Sequence, residues 1–454
     1  MTQDLLAAPL LPLCQHAVEL ARAAGADEAE VFAQRSRGVK ARAEQNDLVG
    51  ADADESFALG LRVLVKGAAG FFALNREDDA SLEHAARTAV ALARAGTPED
   101  GPRLPDPTPL ITLDGMVDPA VMTAPVPDAV ERCHALLCAM KAVDPRIRVD
   151  GCDVEFAVER HAVASSRGMA AEEVQTAASQ SAFGFASDGE DVSSFDAEVN
   201  ASVRLGGLQG AAMGTLLAQN LLKLLGSALY DGPSDGQVIL GPDAFDEVLL
   251  GPLLESLNGE AVRMGTSRLV DALGKSAAAD LLTIVDDPLV AGEVGCEAFD
   301  REGVAHLKMA LVERGVVQSF LHHSDSARRL GQKATGHASG GARSLPGISI
   351  TRMVVEPGTA ALADLIHGVG EGLYVGRFSG SVDEVSGDFS GVAKCGFRIR
   401  GGKLAEPVKE TLIAGNAFDV LKALRALSRE RKANPGELVP WALCSGISIS
   451  SGDC

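Results

Sequence analysis

Leu249 to Gly259, LLGPLLESLNG, lies near the middle of a 454-residue chain and constrains it more than any other stretch. Leu249, Leu250, Leu253, Leu254 and Leu257 recur at the spacing of one helical face, and a helix so patterned must bury that face against other elements. Pro242 suits the start of this helix, because a first-turn residue needs no N–H donor. Aromatic residues are scarce, at 4% with one Trp and two Tyr, so the surrounding core has to be built from Ala, Val, Leu and Ile.

Upstream, Leu11 to Ala24 has helical patterning and is closed by Gly25. Glu30 to Gln34 reads as a strand, and Phe57 to Leu74 as two more, turning at Gly67 to Gly70. Asp78, Asp79 and Ser81 are N-cap candidates for a helix reaching Arg94. Helix, strands, helix is an α+β layer, not a βαβ repeat. Residues 97–127, rich in Pro and Gly, form a linker or surface loop. Asp128 to Val143 is an amphipathic helix. Arg146 to Ala164 and Ala170 to Gly184 alternate as strands joined at Ser165 to Gly168. Ala197 to Leu205 is a further strand, and Gln209 to Leu229 a long helix of small and apolar residues.

Gly232 to Gly236, GPSDG, marks the expected domain boundary, giving 1–231 and 232–454. The second part is mostly short strands punctuated by Gly and Pro, as in a curved sheet or barrel, and Asn416 to Arg429 closes it as a capped helix. The expected class is α+β: helices on a mainly antiparallel sheet, then a largely β, barrel-like domain.

Net charge is −21. Such a surface repels nucleic-acid phosphates and anionic lipid, so neither nucleic acid nor membrane is an expected partner. Of the eight cysteines, Cys14, Cys133, Cys138, Cys152, Cys296, Cys395, Cys444 and Cys454, none forms CxxC. The N-terminus is a poor signal peptide, with Asp4 and no basic residue before the apolar run. No run of eighteen apolar residues exists. Free thiols in a reducing cytoplasm are expected.

Candidate chemistry is thin. No His is followed directly by Glu, so no His-Glu zinc-hydrolase motif exists. His322 and His323 follow an apolar strand, and neighbours in a strand point to opposite faces, so a loop position is favoured. Asp286-Asp287-Pro288 and the Asp383-Glu384-x-x-x-Asp388 loop fit either a hard cation or a turn, with the turn favoured. Gly336-His337-x-x-Gly340-Gly341, near Lys333 and Arg343, leads into Pro346 and a strand; a loop over a groove fits better than a phosphate cradle. Ser386 to Gly391 does not match the serine-nucleophile elbow. Cys395 follows Lys394, but a half-buried structural thiol is the commoner role.

Phe299 to Ala338 (FDREGVAHLKMALVERGVVQSFLHHSDSARRLGQKATGHA), Thr283 to Pro288 (TIVDDP) and Gly387 to Asn416 (GDFSGVAKCGFRIRGGKLAEPVKETLIAGN) resemble the TldD/PmbA family of peptidase-related proteins. FALGLRVLVKGAAGFFALN resembles its N-terminal strand pair, so the resemblance covers nearly the whole chain. It implies an α+β domain followed by a largely β domain. TldD-like members carry His-Glu-x-x-x-His on the central helix and a C-terminal Cys ligand. PmbA-like (TldE-type) members lack that motif and pair with a TldD-like chain.

In this chain the motif positions are assigned to Gly251, Pro252 and Glu255, and neither Cys444 nor Cys454 stands in the Cys-Gly-Lys context. The chain thus resembles the PmbA-like type. No metal is expected on it, and zinc is expected in a TldD-like partner. His337, Thr351 and Arg352 are candidates for a peptide groove; Thr351-Arg352 replaces the family's frequent Thr-Asn. The implied function is that of a non-catalytic subunit of a cytoplasmic heterodimeric metallopeptidase acting on unfolded or leader peptides. The alternatives are an autonomous hydrolase using Cys395 or a serine of Ser386 to Ser390, and a peptide-binding homodimer.

Overall fold

The computed structural model describes residues 8–99 and 104–451; Asp4 and Cys454 lie outside them. Helix α1 (Leu11–Ala23) buries Cys14, Ala17, Val18 and Ala21, one helical stripe. Strands β1 (Glu28–Glu44) and β2 (Asp47–Val65) then form a hairpin far longer than the short strands expected. Gln45 and Asn46, both at positive φ, make its two-residue turn, the geometry that matches the twist of paired strands. Strand β3 (Ala68–Leu74) returns through a second such turn at Lys66-Gly67. Helix α2 (Asp79–Ala95) is capped by Asp78, which accepts from Ser81 N–H at 3.0 Å. Helix α3 (Val126–Val143), strands β4 (Ile147–Ser165), β5 (Ala170–Asp188) and β6 (Asp196–Ser202), and helix α4 (Ala211–Lys223) complete this half.

The sheet runs β3-β2-β1-β4-β5-β6, antiparallel throughout. Its two faces follow from the two-residue repeat of a strand. Odd residues of β1 (Ala29, Val31, Ala33, Val39, Ala41, Ala43) pack under the helices. Even residues Glu30, Phe32 and Gln34 point the other way, where the second half of the chain docks: Glu30 and Phe32 meet Arg301, and Gln34 Oε1 accepts from Ala342 N–H. Alanine lets the helices sit close, and Gly70 is obligatory, since a Cβ there would lie 2.2 Å from Ala89 O.

The described part of the expected linker is tied down at the same seam. Leu104 is buried with its N–H on Glu28, and Thr108 Oγ1 accepts from Ala305 N–H.

Beyond α4, Ala228–Leu229 pairs in parallel with Val408–Lys409. The second half is largely strand, in an eleven-stranded sheet and a four-stranded one (Arg377–Val382, Asp388–Lys394, Thr411–Asn416, Ser448–Ser451). The Leu-rich helix lies buried between them. Leu249, Leu250, Leu253 and Leu257 are fully buried, in one core with Val238, Leu240 and Leu373 of the large sheet and Phe378, Phe389 and Ile413 of the small one.

Two expected helices are shorter in the structure. The 209–229 helix ends at Lys223. The closing helix spans only Ala417–Lys422; Asn416 caps it as expected, but Ala426–Asn434 leaves as a strand on Glu437–Cys444. There, sheet pairing outweighs local helix propensity.

Candidate functional site

The central helix is α-helical over Pro242–Phe245, widens to a π turn at Asp246–Leu250, and resumes over Gly251–Leu257. Pro252 is the cause: it has no N–H for a regular helical bond, and a helix relieves such a residue by a local bulge. Gly251 N–H accordingly reaches back five residues to Asp246 O.

Of the positions assigned to the metal motif, Gly251 and Pro252 offer no donor atom, and Glu255 is half-buried, near Asn258 Nδ2 at 3.4 Å. The five-residue spacing of the motif, counted from Gly251, ends at Ser256 rather than Glu255, which corrects that assignment. Ser256 is buried and its carbonyl accepts from Ser267 Oγ.

Among the described residues, thiols do not complete a set. Cys444 is fully buried, and burial pushes its thiol far above the ordinary range. Zinc needs three or four converging donors, with any cysteine as thiolate, and these residues do not fit it.

His322 abuts the end of this helix, where a Cβ on Gly259 would fall 2.1 Å from its Nδ1. Burial presses its pKa down to about 4, so it is a neutral ring, hydrogen-bonded to Ser326 Oγ. His323 caps the helix Ser324–Arg329 through Nδ1, accepting from Ser326 N–H. The two imidazoles thus have separate structural roles, in a loop.

The groove candidates meet at the seam between the halves. His337 is buried, its Nε2 2.8 Å from Asp286 Oδ2 and its Nδ1 2.9 Å from Thr335 Oγ1. Asp286 Oδ1 also accepts from Arg352 N–H at 2.7 Å. One carboxylate therefore pins three segments together. The turn reading does not hold for Asp286, which is fully buried at the end of a strand; Asp287 pairs separately with Lys308. Thr351 lines a cleft of about 270 Å³ with Gln34, Glu159, His161, Glu297 and Ser339. His337 is buried and is not part of that lining, and Arg352 joins the network through its backbone.

The other candidates have plain roles. Ala342 N–H, in the glycine-rich loop, is taken by Gln34. Asp383 accepts from Val385 and Ser386 N–H, and Ser386 Oγ donates to Asp388, which is a turn. Cys395 is buried, its Sγ 3.2 Å from Phe195 O and its thiol pushed far up by burial and Asp196, so it is no nucleophile.

Sequence reasoning missed the charges beneath the cleft. Arg62 bridges Glu30 and Glu302, each at 2.7 Å, and Arg301 returns to Glu30 at 3.3 Å. Burial would raise Glu302, but Arg62 and Ser324 hold it below its ordinary value. Adjacent Asp300 is pushed to about 7 by burial and by Glu302. His306 is lifted, against its burial, by Glu297. Charged residues inside apolar strands, Glu30 in EVFAQ and Arg62 in GLRVLV, were the available signal.

Residues 29–93 match the PmbA/TldA metallopeptidase domain 1, and residues 233–451 match the PmbA/TldA metallopeptidase C-terminal domain. The chain belongs to the PmbA/TldD family. A metalloprotease PmbA homolog of Haemophilus influenzae is 26% identical over 91% of this chain and 89% of its own length. A metalloprotease of Methanothermobacter thermautotrophicus is 30% identical over 48% of this chain, and the match spans 47% of that relative. The crystal structure of TldE from Thermococcus kodakarensis superposes with a TM-score of 0.89 at 22% identity, covering 97% of this chain and all of that one. The α+β architecture is thus that of a solved family fold.

Proposed function

We propose that this chain is a TldE-type subunit of a heterodimeric metallopeptidase, with a TldD-like partner holding the zinc ion. The carrying observation is the donor set of the central helix: glycine, proline and a buried serine where a hydrolase of this family needs imidazoles and a carboxylate. In the partner, the ion would supply an activated water for amide hydrolysis. This chain would shape the cavity and hold an extended peptide, an unfolded or leader segment, at the seam cleft beside Thr351. Seven free cysteines among the described residues favour a reducing cytoplasm, and no helix among them is long and apolar enough to cross a membrane.

The test is to purify the chain alone and with a TldD-like partner, then measure bound zinc and peptide cleavage. Zinc and activity are expected only in the mixed sample; stoichiometric zinc and full activity in the lone chain would overturn the reading.

A further inference from the structure

A second cavity, about 620 Å³, is larger than the cleft beside Thr351. It opens elsewhere along the seam, between β6 and α4 on one side and the start of the central helix on the other. Its volume is that of a small-molecule site.

One wall is apolar. The only tryptophan of the chain, Trp441, stands there with Tyr374, Phe397, Ile366 and Leu404. Trp441 Nε1 donates to Tyr374 Oη at 3.1 Å, so each ring's polar group satisfies the other. Leu404 is 42% exposed.

The facing wall is charged and almost fully neutralised. Arg377 contacts Asp196 at 2.8 Å and Asp243 at 3.1 Å. Lys432 contacts Asp243 at 3.0 Å and Glu198 at 3.1 Å. Lys223, at the end of α4, differs: its Nζ reaches only Asn220 Oδ1, at 2.9 Å. Among the described residues lining the cavity, it is the cation without a carboxylate partner.

We propose that this cavity binds a small amphipathic monocarboxylate: an apolar body against Trp441, Phe397 and Leu404, with its carboxylate on Lys223. A single available cation matches a single negative charge. Asp196, Glu198 and Asp243 outnumber Arg377 and Lys432 on that wall by one, so a second negative charge on the ligand finds no cation to meet it. A chain terminus with an apolar last residue has this chemistry, and so does a free aliphatic acid. Neither a partner subunit nor a metal enters, so the failure of this proposal leaves the subunit reading standing, and the reverse.

The lone chain tests it, because Trp441 is its sole tryptophan. Emission is titrated with N-acetyl-leucyl-phenylalanine, with the same dipeptide as its C-terminal amide, and with decanoate. The expected result is a saturable change with a carboxylate ligand and binding at least tenfold weaker for the amide. Lys223→Gln should weaken the acid about tenfold while leaving the amide unchanged, and Leu404→Asp should abolish both. Both side chains are at the surface, so the fold is retained. Saturation by the dipeptide alone identifies a peptide terminus as the ligand, and saturation by decanoate as well identifies the general class. Equal binding of acid and amide, indifference to Lys223→Gln, or no saturable change with any of the three overturns the proposal.

Discussion

Arg62→Met would break the charge lattice that joins the two halves of the molecule. Glu30 is 1% and Glu302 1% exposed, and Arg62 reaches both at 2.7 Å. Each contact is worth on the order of 6 kcal/mol of Coulomb energy at an effective dielectric constant of about 20, most of it offset by the cost of taking the ions out of water. Removing one partner leaves the other charges buried without compensation, at a cost of about 3–5 kcal/mol. Arg301 alone would remain to serve Glu30.

The loss carries a pH signature. In the intact lattice Glu302 is held below its ordinary pKa, so its contribution is present at neutral pH and lost as pH falls through the carboxylate range. Without Arg62, burial dominates and raises Glu302, so the variant is least disadvantaged in acid. Urea unfolding followed by circular dichroism at pH 7.5 and pH 5 measures both effects. The double variant Arg62→Met, Glu302→Gln removes the uncompensated carboxylate and should recover more than half of the loss at pH 7.5. A loss under about 1 kcal/mol at pH 7.5, or one that grows in acid, would refute the reasoning.

Leu253→Ala, at a fully buried position of the central helix, should cost about 2–5 kcal/mol by the lost burial and the cavity left, read from the urea midpoint. Asp246 is raised to about 7 by burial and by Glu437, Asp243 and Glu247. Its folded pKa lies above the unfolded one, so the stability it contributes is full in acid and lost as pH rises through about 7; Asp246→Asn should raise the melting temperature at pH 8, by at most about 4 kcal/mol of stability, and change little at pH 4. Gly70→Ala would place a methyl 2.2 Å from Ala89 O, and the repacking should cost about 1–3 kcal/mol, with the N-terminal sheet exchanging its amide hydrogens faster.

Local chemistry alone determined much of this protein. The 3.6-residue spacing of leucines marked the buried helix, and four of its five leucines are fully buried. Asp78 and Asn416 were readable as caps because a short side-chain oxygen before an apolar run has one efficient use. The absence of imidazoles from the central helix needed no coordinates.

Tertiary structure decided the rest, because pairing across long sequence separations leaves no periodic trace. Residues 47–56 of β2, exposed on both faces, become strand by pairing with β1. Ala426–Asn434 carries a helix-compatible sequence but finds a strand to pair with. Asp286 and His337 stand 51 residues apart and meet only because two sheet segments converge. The value of a buried charge lies in what faces it, and for Glu302 that is Arg62, an arginine 240 residues earlier in the chain.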